Sequence, residues 1–211
     1  HTLRSPTHKP GKKRAHRGTV QAEIKARTRL RILQAFTELF EVRWFDEITL
    51  DQVAERAGVT VQTVLRHFGT KDGLVHAWTD VKSWSTVGSS EPRPIPGDVA
   101  AIVRANVGIY ERRGELNARI LAQAMRYPAL EPFIRSGRAA HQSWIRACFA
   151  DALNVLADRE RGRLERLLYT LTDYYTWHLY RHVYGQSREE TERALQEAIK
   201  AALRAAEGWT T

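Results

Sequence analysis

Residues 48–68 run Ile48-Thr-Leu-Asp-Gln-Val-Ala-Glu-Arg-Ala-Gly-Val-Thr-Val-Gln-Thr-Val-Leu-Arg-His-Phe68, and this stretch decides the fold. Thr49 and Gln52 have the spacing of a capping box, which begins a helix. Gly58 stands where a helix ends in the left-handed conformation. Thr60 can then cap a second short helix. The stretch therefore predicts a helix-turn-helix.

Apolar residues at regular spacing fix the angle between these two short helices. Ile48 with Val53 and Val59 with Val64 occupy the positions of two hydrophobic staples. The side chains that we expect to face inward are Val53, Ala57, Val59, Val64 and Phe68.

The second helix of such a motif enters the major groove of DNA with its N-terminal end first. Gln62 suits an adenine edge there, and Val61 suits a thymine methyl group. The residues predicted to face the bases are Thr60, Val61, Gln62 and Thr63.

Other polar groups of the motif suit the DNA backbone. The helix amides at Thr49 can bind a phosphate through their N–H groups and the helix dipole. Arg66, His67 and Lys71 lie farther along and are predicted to contact phosphates.

Basic residues accumulate before the first helix. The chain has 211 residues and a net charge of +9, and residues 1–22 hold six basic residues and no acidic one. Prolines and glycines punctuate this segment, so we expect residues 1–22 to be a disordered basic arm. Such an arm either follows the DNA, through Lys12, Lys13, Arg14 and Arg17, or serves only as a solubilising tail.

Helical periodicity dominates the rest of the chain, which predicts an all-α protein. A loop rich in glycine and proline at residues 88–97 marks a boundary between a head (23–87) and a helical body (88–211). In the body we expect helices from Asp98 to Arg113, Leu116 to Arg126, Leu130 to Leu156, Asp158 to Gly185, and from Ser187 to Glu207. Ser187 and Glu190 form a second capping box.

Several classes of protein are excluded by the same sequence. Apolar residues make up 43% of the chain, which is typical of a globular protein, and no run is long enough to span a membrane. A single cysteine without an export signal favours the cytoplasm. No glycine-rich phosphate loop, nucleophile motif or metal signature is present, so we expect neither an enzyme nor a cofactor.

The sequence resembles the N-terminal domain of the TetR family of transcriptional regulators. The resemblance rests on the helix Arg31 to Phe40, on Phe45, and on the pattern from Thr49 to Thr60, and it extends over about Arg29 to Trp78. Thr63, Arg66-His-Phe68 and Lys71 continue it. The segment Tyr174 to Thr191 looks like the last two helices of many actinobacterial members.

The resemblance implies an all-helical homodimer with a three-helix DNA-binding head and a ligand-binding body. It also implies a repressor that a small molecule releases from a pseudo-palindromic double-stranded operator. An activator or a ligand-independent regulator fits the same sequence.

Two positions depart from the family pattern, because Leu65 replaces a phosphate-binding tyrosine and Trp44 replaces a glycine. Gly73 stands where alanine is common, at an expected cost to its helix of up to about 1 kcal/mol.

Aromatic residues in the body suggest a pocket for an apolar or aromatic effector, with ordinary core packing as the alternative. The pocket would lie between two helical faces, one with His141, Trp144 and Cys148, and the other with Tyr174 and Trp177. His178 and His182 are four residues apart, but no further ligand completes a metal site, so packed histidines are favoured.

Two apolar stripes near the C-terminus predict a dimer interface, with burial inside one subunit as the alternative. The residues assigned to the interface are Leu164, Leu168, Leu171, Tyr175, Leu195, Ile199 and Leu203.

Overall fold

The computed structural model describes residues 11–81 and 94–209, with side chains at 19–80 and 94–209. All regular structure in these ranges is helical, which confirms the all-α class. The first four helices are α1 (Gly11–Phe40), α2 (Leu50–Ala57), α3 (Val61–Phe68) and α4 (Lys71–Val81). They are followed by α5 (Val99–Ala124), α6 (Glu131–Cys148), α7 (Ala150–Asn154), α8 (Asp158–Leu171), α9 (Tyr174–His178) and α10 (Arg188–Glu207). A 3-10 turn spans Pro128–Leu130, and a π-helical turn spans Leu179–Val183.

The chain divides into two compact units, a head of residues 1–78 and a body of residues 79–211. The division falls inside α4 rather than at the predicted loop beginning at residue 88. Residues 88–93 of that loop lie outside the described residues.

The first helix begins at Gly11, so the disorder expected for residues 1–22 is wrong for residues 11–22. Lysine, arginine, alanine and glutamine are good helix formers, and extending an existing helix costs far less than starting one. The helix α1 therefore includes Lys12, Lys13, Arg14 and Arg17. Residues 1–10 lie outside the described residues.

An aromatic cluster holds the head together. The Phe40 ring centroid lies 5.2 Å from that of Trp78, 5.5 Å from Phe36 and 6.4 Å from Phe45. The Trp78 indole donates a hydrogen bond of 3.0 Å to the Thr37 hydroxyl, so its one polar group is satisfied inside the core. This packing fixes α4 against α1.

Gly73 is required by a close approach between chain segments. A Cβ atom at this position would lie 2.0 Å from the carbonyl oxygen of Phe68, and backbone cannot yield as a side chain can. The loss of helix propensity at Gly73 is therefore the lesser cost. The sequence predicted that glycine would destabilise this helix relative to alanine. In this structure alanine would be the more destabilising residue at position 73.

Buried apolar residues from α5, α6, α8 and α10 form the core of the body. Asp98 caps α5 by accepting from the Ala101 amide at 2.9 Å, as predicted. The capping box of Ser187 and Glu190 is also present at the start of α10. These two caps define where the long helices begin.

The helices of the body differ from the predicted set at three places. The two helices expected over 98–126 are one continuous helix, α5, because Gly114 gives room to a neighbouring tryptophan and does not break the helix. The segment 130–156 is divided at Phe149, and the segment 158–185 is divided at Thr172 and Asp173. Asp173 accepts from the Tyr175 amide at 3.0 Å and so begins a new helix.

Most of the stripe assigned to the dimer interface lies inside one subunit. Leu164, Leu168, Leu195 and Ile199 are each at most 1% exposed and belong to the core of the body. That part of the assignment is wrong, because these four side chains are buried in the core of their own chain. Leu171 and Leu203 are half-buried, and Tyr175 is exposed.

We expect Gly114→Ala to destabilise the body. The added Cβ would lie 2.3 Å from the Cη2 atom of the buried Trp177 ring, and overpacking of this kind costs roughly 1–3 kcal/mol. The matched control is Gly162→Ala in α8, where the added Cβ would meet only the Arg166 guanidinium at 3.3 Å. This control should gain up to about 1 kcal/mol from helix propensity. Urea denaturation measures both, and equal effects would contradict the role given to Gly114.

Candidate nucleic-acid interface

The two helices of the motif are capped as the sequence predicts. The Thr49 hydroxyl accepts from the Gln52 amide at 3.2 Å, and the Gln52 side chain accepts from the Thr49 amide at 3.0 Å. Gly58 has φ of 62°, in the left-handed region that favours glycine. Its N–H bonds to carbonyls of the last turn of α2, so the turn to α3 is closed by the backbone itself.

The N-terminal end of α3 is the uncharged surface predicted to meet the bases. The Thr60 hydroxyl accepts from the Thr63 amide at 3.2 Å, and the two hydroxyl oxygens are 3.0 Å apart. Because these hydroxyls already bond each other, Gln62 is the exposed polar side chain that remains for recognition. Val61 is half-buried beside it.

The inward face of the motif is mostly as expected. Val53 and Val64 are fully buried and Ala57 is 4% exposed. Val59 and Phe68 are only half-buried. The buried residues of α2 and α3 thus hold the exposed end of α3 at a fixed angle.

Lys71 points into the head. Its ammonium donates to the carbonyl of Phe45 and stands 4.1 Å from the centroid of the same ring. Burial lowers the pKa of Lys71, and the nearby carboxylates of Asp46 and Asp72 oppose that effect. The phosphate contact predicted for Lys71 stays a prediction. One hydrogen bond of the Lys71 ammonium is already made to the Phe45 carbonyl.

A group of basic side chains meets at the C-terminal end of α3. Arg29 donates to the carbonyl oxygen of His67 at 3.4 Å, and its guanidinium lies 4.7 Å from the centroid of the Phe68 ring. Burial lowers the pKa of His67, and the positive charges of Arg66, Lys25 and Arg29 lower it further. Two residues of α1, Lys25 and Arg29, therefore lie beside this end of α3.

Lys25 and Arg29 are not among the residues predicted from the sequence, although a signal was present. The buried stripe of α1 contains Ile32, Phe36 and Phe40, at spacings of four. Continued toward the N-terminus, the same face of the helix carries Arg29 and then Lys25. The stripe changes from apolar to basic where α1 leaves the core.

The two departures from the family pattern are accommodated locally. Trp44 is 42% exposed, and its amide donates to the Glu47 carboxylate at 3.2 Å. No described residue other than glycine has a positive φ, so Trp44 avoids the left-handed conformation. Leu65 is half-buried and offers no polar group toward DNA.

The residues predicted to bind an effector are not brought around one cavity. His141 lies against Tyr169, with ring centroids 4.6 Å apart, whereas Trp177 lies 5.7 Å from the Tyr110 ring. The five predicted residues divide between these packing groups and a groove of about 380 Å³ lined by Cys148, Phe149 and Leu203 among others. A second groove of about 260 Å³ lies beside Ile145 and Tyr169.

A buried polar group joins the helices of the body at Thr172. The Thr172 carbonyl accepts from Asn106 at 3.1 Å and from Tyr110 at 3.2 Å. The Thr172 hydroxyl donates to the Leu168 carbonyl at 2.7 Å, so it accepts from Nε2 of His141 at 2.9 Å. Burial lowers the pKa of His141 to about 4, which keeps this imidazole neutral.

Comparison with known proteins agrees with this geometry. Residues 32–78 match the sequence model of the bacterial regulatory proteins of the tetR family. The matched residues lie in the head and include α2, α3 and the turn between them. This likeness supports DNA-binding regulation of transcription as the function class.

The whole chain also resembles a solved structure. It aligns with a Mesorhizobium loti protein assigned to the TetR family of transcriptional regulators, with a TM-score of 0.62 and 19% identity. The alignment covers 86% of this chain and 97% of that one, so the likeness extends to the fold of the body. No curated protein matches the chain.

Two further observations concern the described residues. None of the helices in 11–81 and 94–209 has both the length and the apolar character needed to cross a membrane. His178 and His182 stack with ring centroids 4.9 Å apart, and no third metal-binding side chain joins them within the described part of the chain.

We expect Lys71→Ala to destabilise the head by roughly 1–2 kcal/mol, through loss of its cation–π contact and its bond to Phe45. Arg66→Ala is the control, because Arg66 is exposed and has no ion pair among the described residues. It should change stability by less than about 0.5 kcal/mol. Thermal unfolding of the full chain measures both, and an unchanged Lys71→Ala protein would contradict the inward placement.

Proposed function

We propose that the chain is a homodimeric repressor that binds a pseudo-palindromic operator and is released by a small-molecule effector. The observation that carries the proposal is the exposed, uncharged N-terminal end of α3, held rigidly by two caps and the Gly58 turn. A regulator of this kind acts where the chromosome is, which places the proposed activity in the cytoplasm.

Base recognition is assigned to α3. Gln62 can form two hydrogen bonds with one adenine, and Val61 can contact a thymine methyl group. Thr60 and Thr63 shape this end through their mutual hydrogen bond. Contacts to DNA phosphates are assigned to Arg66, His67 and Lys71, which lie farther along the chain, and to the helix amides at Thr49.

We expect Gln62→Ala to lose about 1–3 kcal/mol on the preferred duplex and to relax the preference at one base position. Selection of duplexes from a random pool, with wild type and variant in parallel, measures this preference. Arg66→Ala is the comparison, because removal of a phosphate contact should weaken all sequences about equally. If the two variants had the same sequence profile, the assignment of base and phosphate roles would be wrong.

An exposed apolar face of the body supports the dimer. Tyr175, Leu179 and Val183 are 58%, 44% and 60% exposed and lie four residues apart. Leu167, 40% exposed, and the half-buried Leu171 precede them in the sequence at the same spacing, on α8. We call these five residues the interface row. A row of this kind suits a second copy of the same face, which a two-fold axis requires.

We expect wild type to sediment at about twice the chain mass of 24.2 kDa at micromolar concentration. The double variant Tyr175→Asp with Val183→Asp should shift the protein toward monomer, because two buried carboxylates per subunit would oppose association. The matched control is Ile95→Asp with Val155→Asp, at two positions each 71% exposed and outside the row. A dimer unaffected by the first pair would locate the interface elsewhere.

The effector is proposed to be apolar or aromatic, because aromatic side chains surround the polar group at Thr172. His141 bonds to the Thr172 hydroxyl and packs against Trp144. Tyr110 bonds to the Thr172 carbonyl and packs against Tyr174 and Trp177. Ligand entry there would have to separate packed rings, which would couple binding to movement of the helices.

A further inference from the structure

Four basic side chains of the head face one place beside the end of α3. Arg29 contacts both the His67 carbonyl and the Phe68 ring. Lys25 lies one turn earlier on the same face of α1, and its charge acts on the His67 imidazole together with those of Arg29 and Arg66. We call Lys25, Arg29, Arg66 and His67 the basic cluster.

The basic cluster has no acidic partner among the described residues. Its side chains make no ion pair in that part of the chain, and no carboxylate contributes to the electrostatics of His67. Other arginines are paired, for example Arg56 with Glu38 at 2.6 Å and Arg146 with Glu165 at 3.0 Å. Like charges held together repel, so an anion that enters the cluster is strongly favoured.

The position of the cluster indicates which anion this is. The cluster lies at the C-terminal end of α3, whose N-terminal end we assign to the bases. Where a recognition helix enters the groove, its far end and the preceding helix lie beside the DNA backbone. This step rests on the proposed function, since it takes the docking of α3 as given.

We propose that the basic cluster is a seat for one DNA phosphate, and that His67 binds a proton when the phosphate enters. Lys25 and Arg66 supply the fixed charges. Arg29 is a positioning residue, because it holds α1 against α3 through the His67 carbonyl and the Phe68 ring. The His67 imidazolium then donates to the phosphate.

Proton uptake by His67 is expected from the charges around its imidazole. In the free protein, burial and the charges of Arg66, Lys25 and Arg29 lower the pKa of His67 from its ordinary value, which favours the neutral ring. A bound phosphate offsets those charges and raises the pKa of His67. DNA affinity should therefore rise as pH falls through the bound-state pKa, and should level off below the free-state pKa.

The main test compares Lys25→Ala with Arg27→Ala in the full chain. Both remove one charge from exposed positions of α1, and residues two apart point to nearly opposite faces of a helix. The probes are a duplex selected from a random pool by the wild type and a short duplex of unrelated sequence. Lys25→Ala should weaken binding of both severalfold and reduce the salt slope by about 2 per dimer. Arg27→Ala should leave the slope unchanged.

The proton is tested by the same binding measurements at several pH values. With wild type, the logarithm of affinity should fall with pH at a slope approaching one proton per subunit, between the free and bound pKa values of His67. His67→Gln should keep most of the binding at neutral pH and lose this slope. Proton NMR of the free proteins gives a readout independent of DNA, since Lys25→Ala should raise the pKa of His67 and Arg27→Ala should not.

The outcomes separate this inference from the proposed function. Sequence-selective binding by wild type, with equal salt slopes for Lys25→Ala and Arg27→Ala, would overturn the seat and leave the regulator intact. A pH dependence unchanged in His67→Gln would overturn the proton uptake. Failure of the wild type to bind any selected duplex would overturn the proposed function and the seat together.

Discussion

The left-handed turn at Gly58 is the constraint on which the DNA-binding head depends. With φ of 62° and its N–H bonded back into α2, this residue sets the direction in which α3 leaves. A side chain there would be strained, although no atom lies within 4 Å of the added Cβ. The caps at Thr49 and Thr60 then fix both helix starts, and the recognition surface is positioned by backbone geometry before any DNA is bound.

The head could be predicted in detail because its signals are local. Caps, staples and a turn glycine act over a few residues, and each has one structural meaning. Thr49, Gly58 and Thr60 therefore occupy the conformations expected of them. What sequence could not show is the inward turn of Lys71, because its bond to Phe45 joins residues far apart in the chain.

The body was harder to predict because a helical stripe does not reveal its partner. Leu164 and Leu168 have the same spacing as Leu167 and Leu171, yet the first pair is fully buried in the chain's own core. The stripe alone leaves open whether a face meets the same subunit or another. Gly114 shows the related difficulty, since a glycine that admits a tryptophan ring looks in sequence like a helix break.

Stability and binding make opposite demands on the surface of this molecule. In the body, Arg181 is tied to Glu111 at 2.6 Å and that carboxylate also accepts from Trp177, so charge serves the fold. In the head, Lys25, Arg29 and Arg66 lie together without a carboxylate partner among the residues that the structure describes, and their repulsion costs the free protein some stability. That cost falls when a polyanion binds, because the polyanion supplies a negative charge close to each of these basic side chains. The same unpaired charges depress the pKa of His67, so the arrangement that favours phosphate also links phosphate binding to a proton.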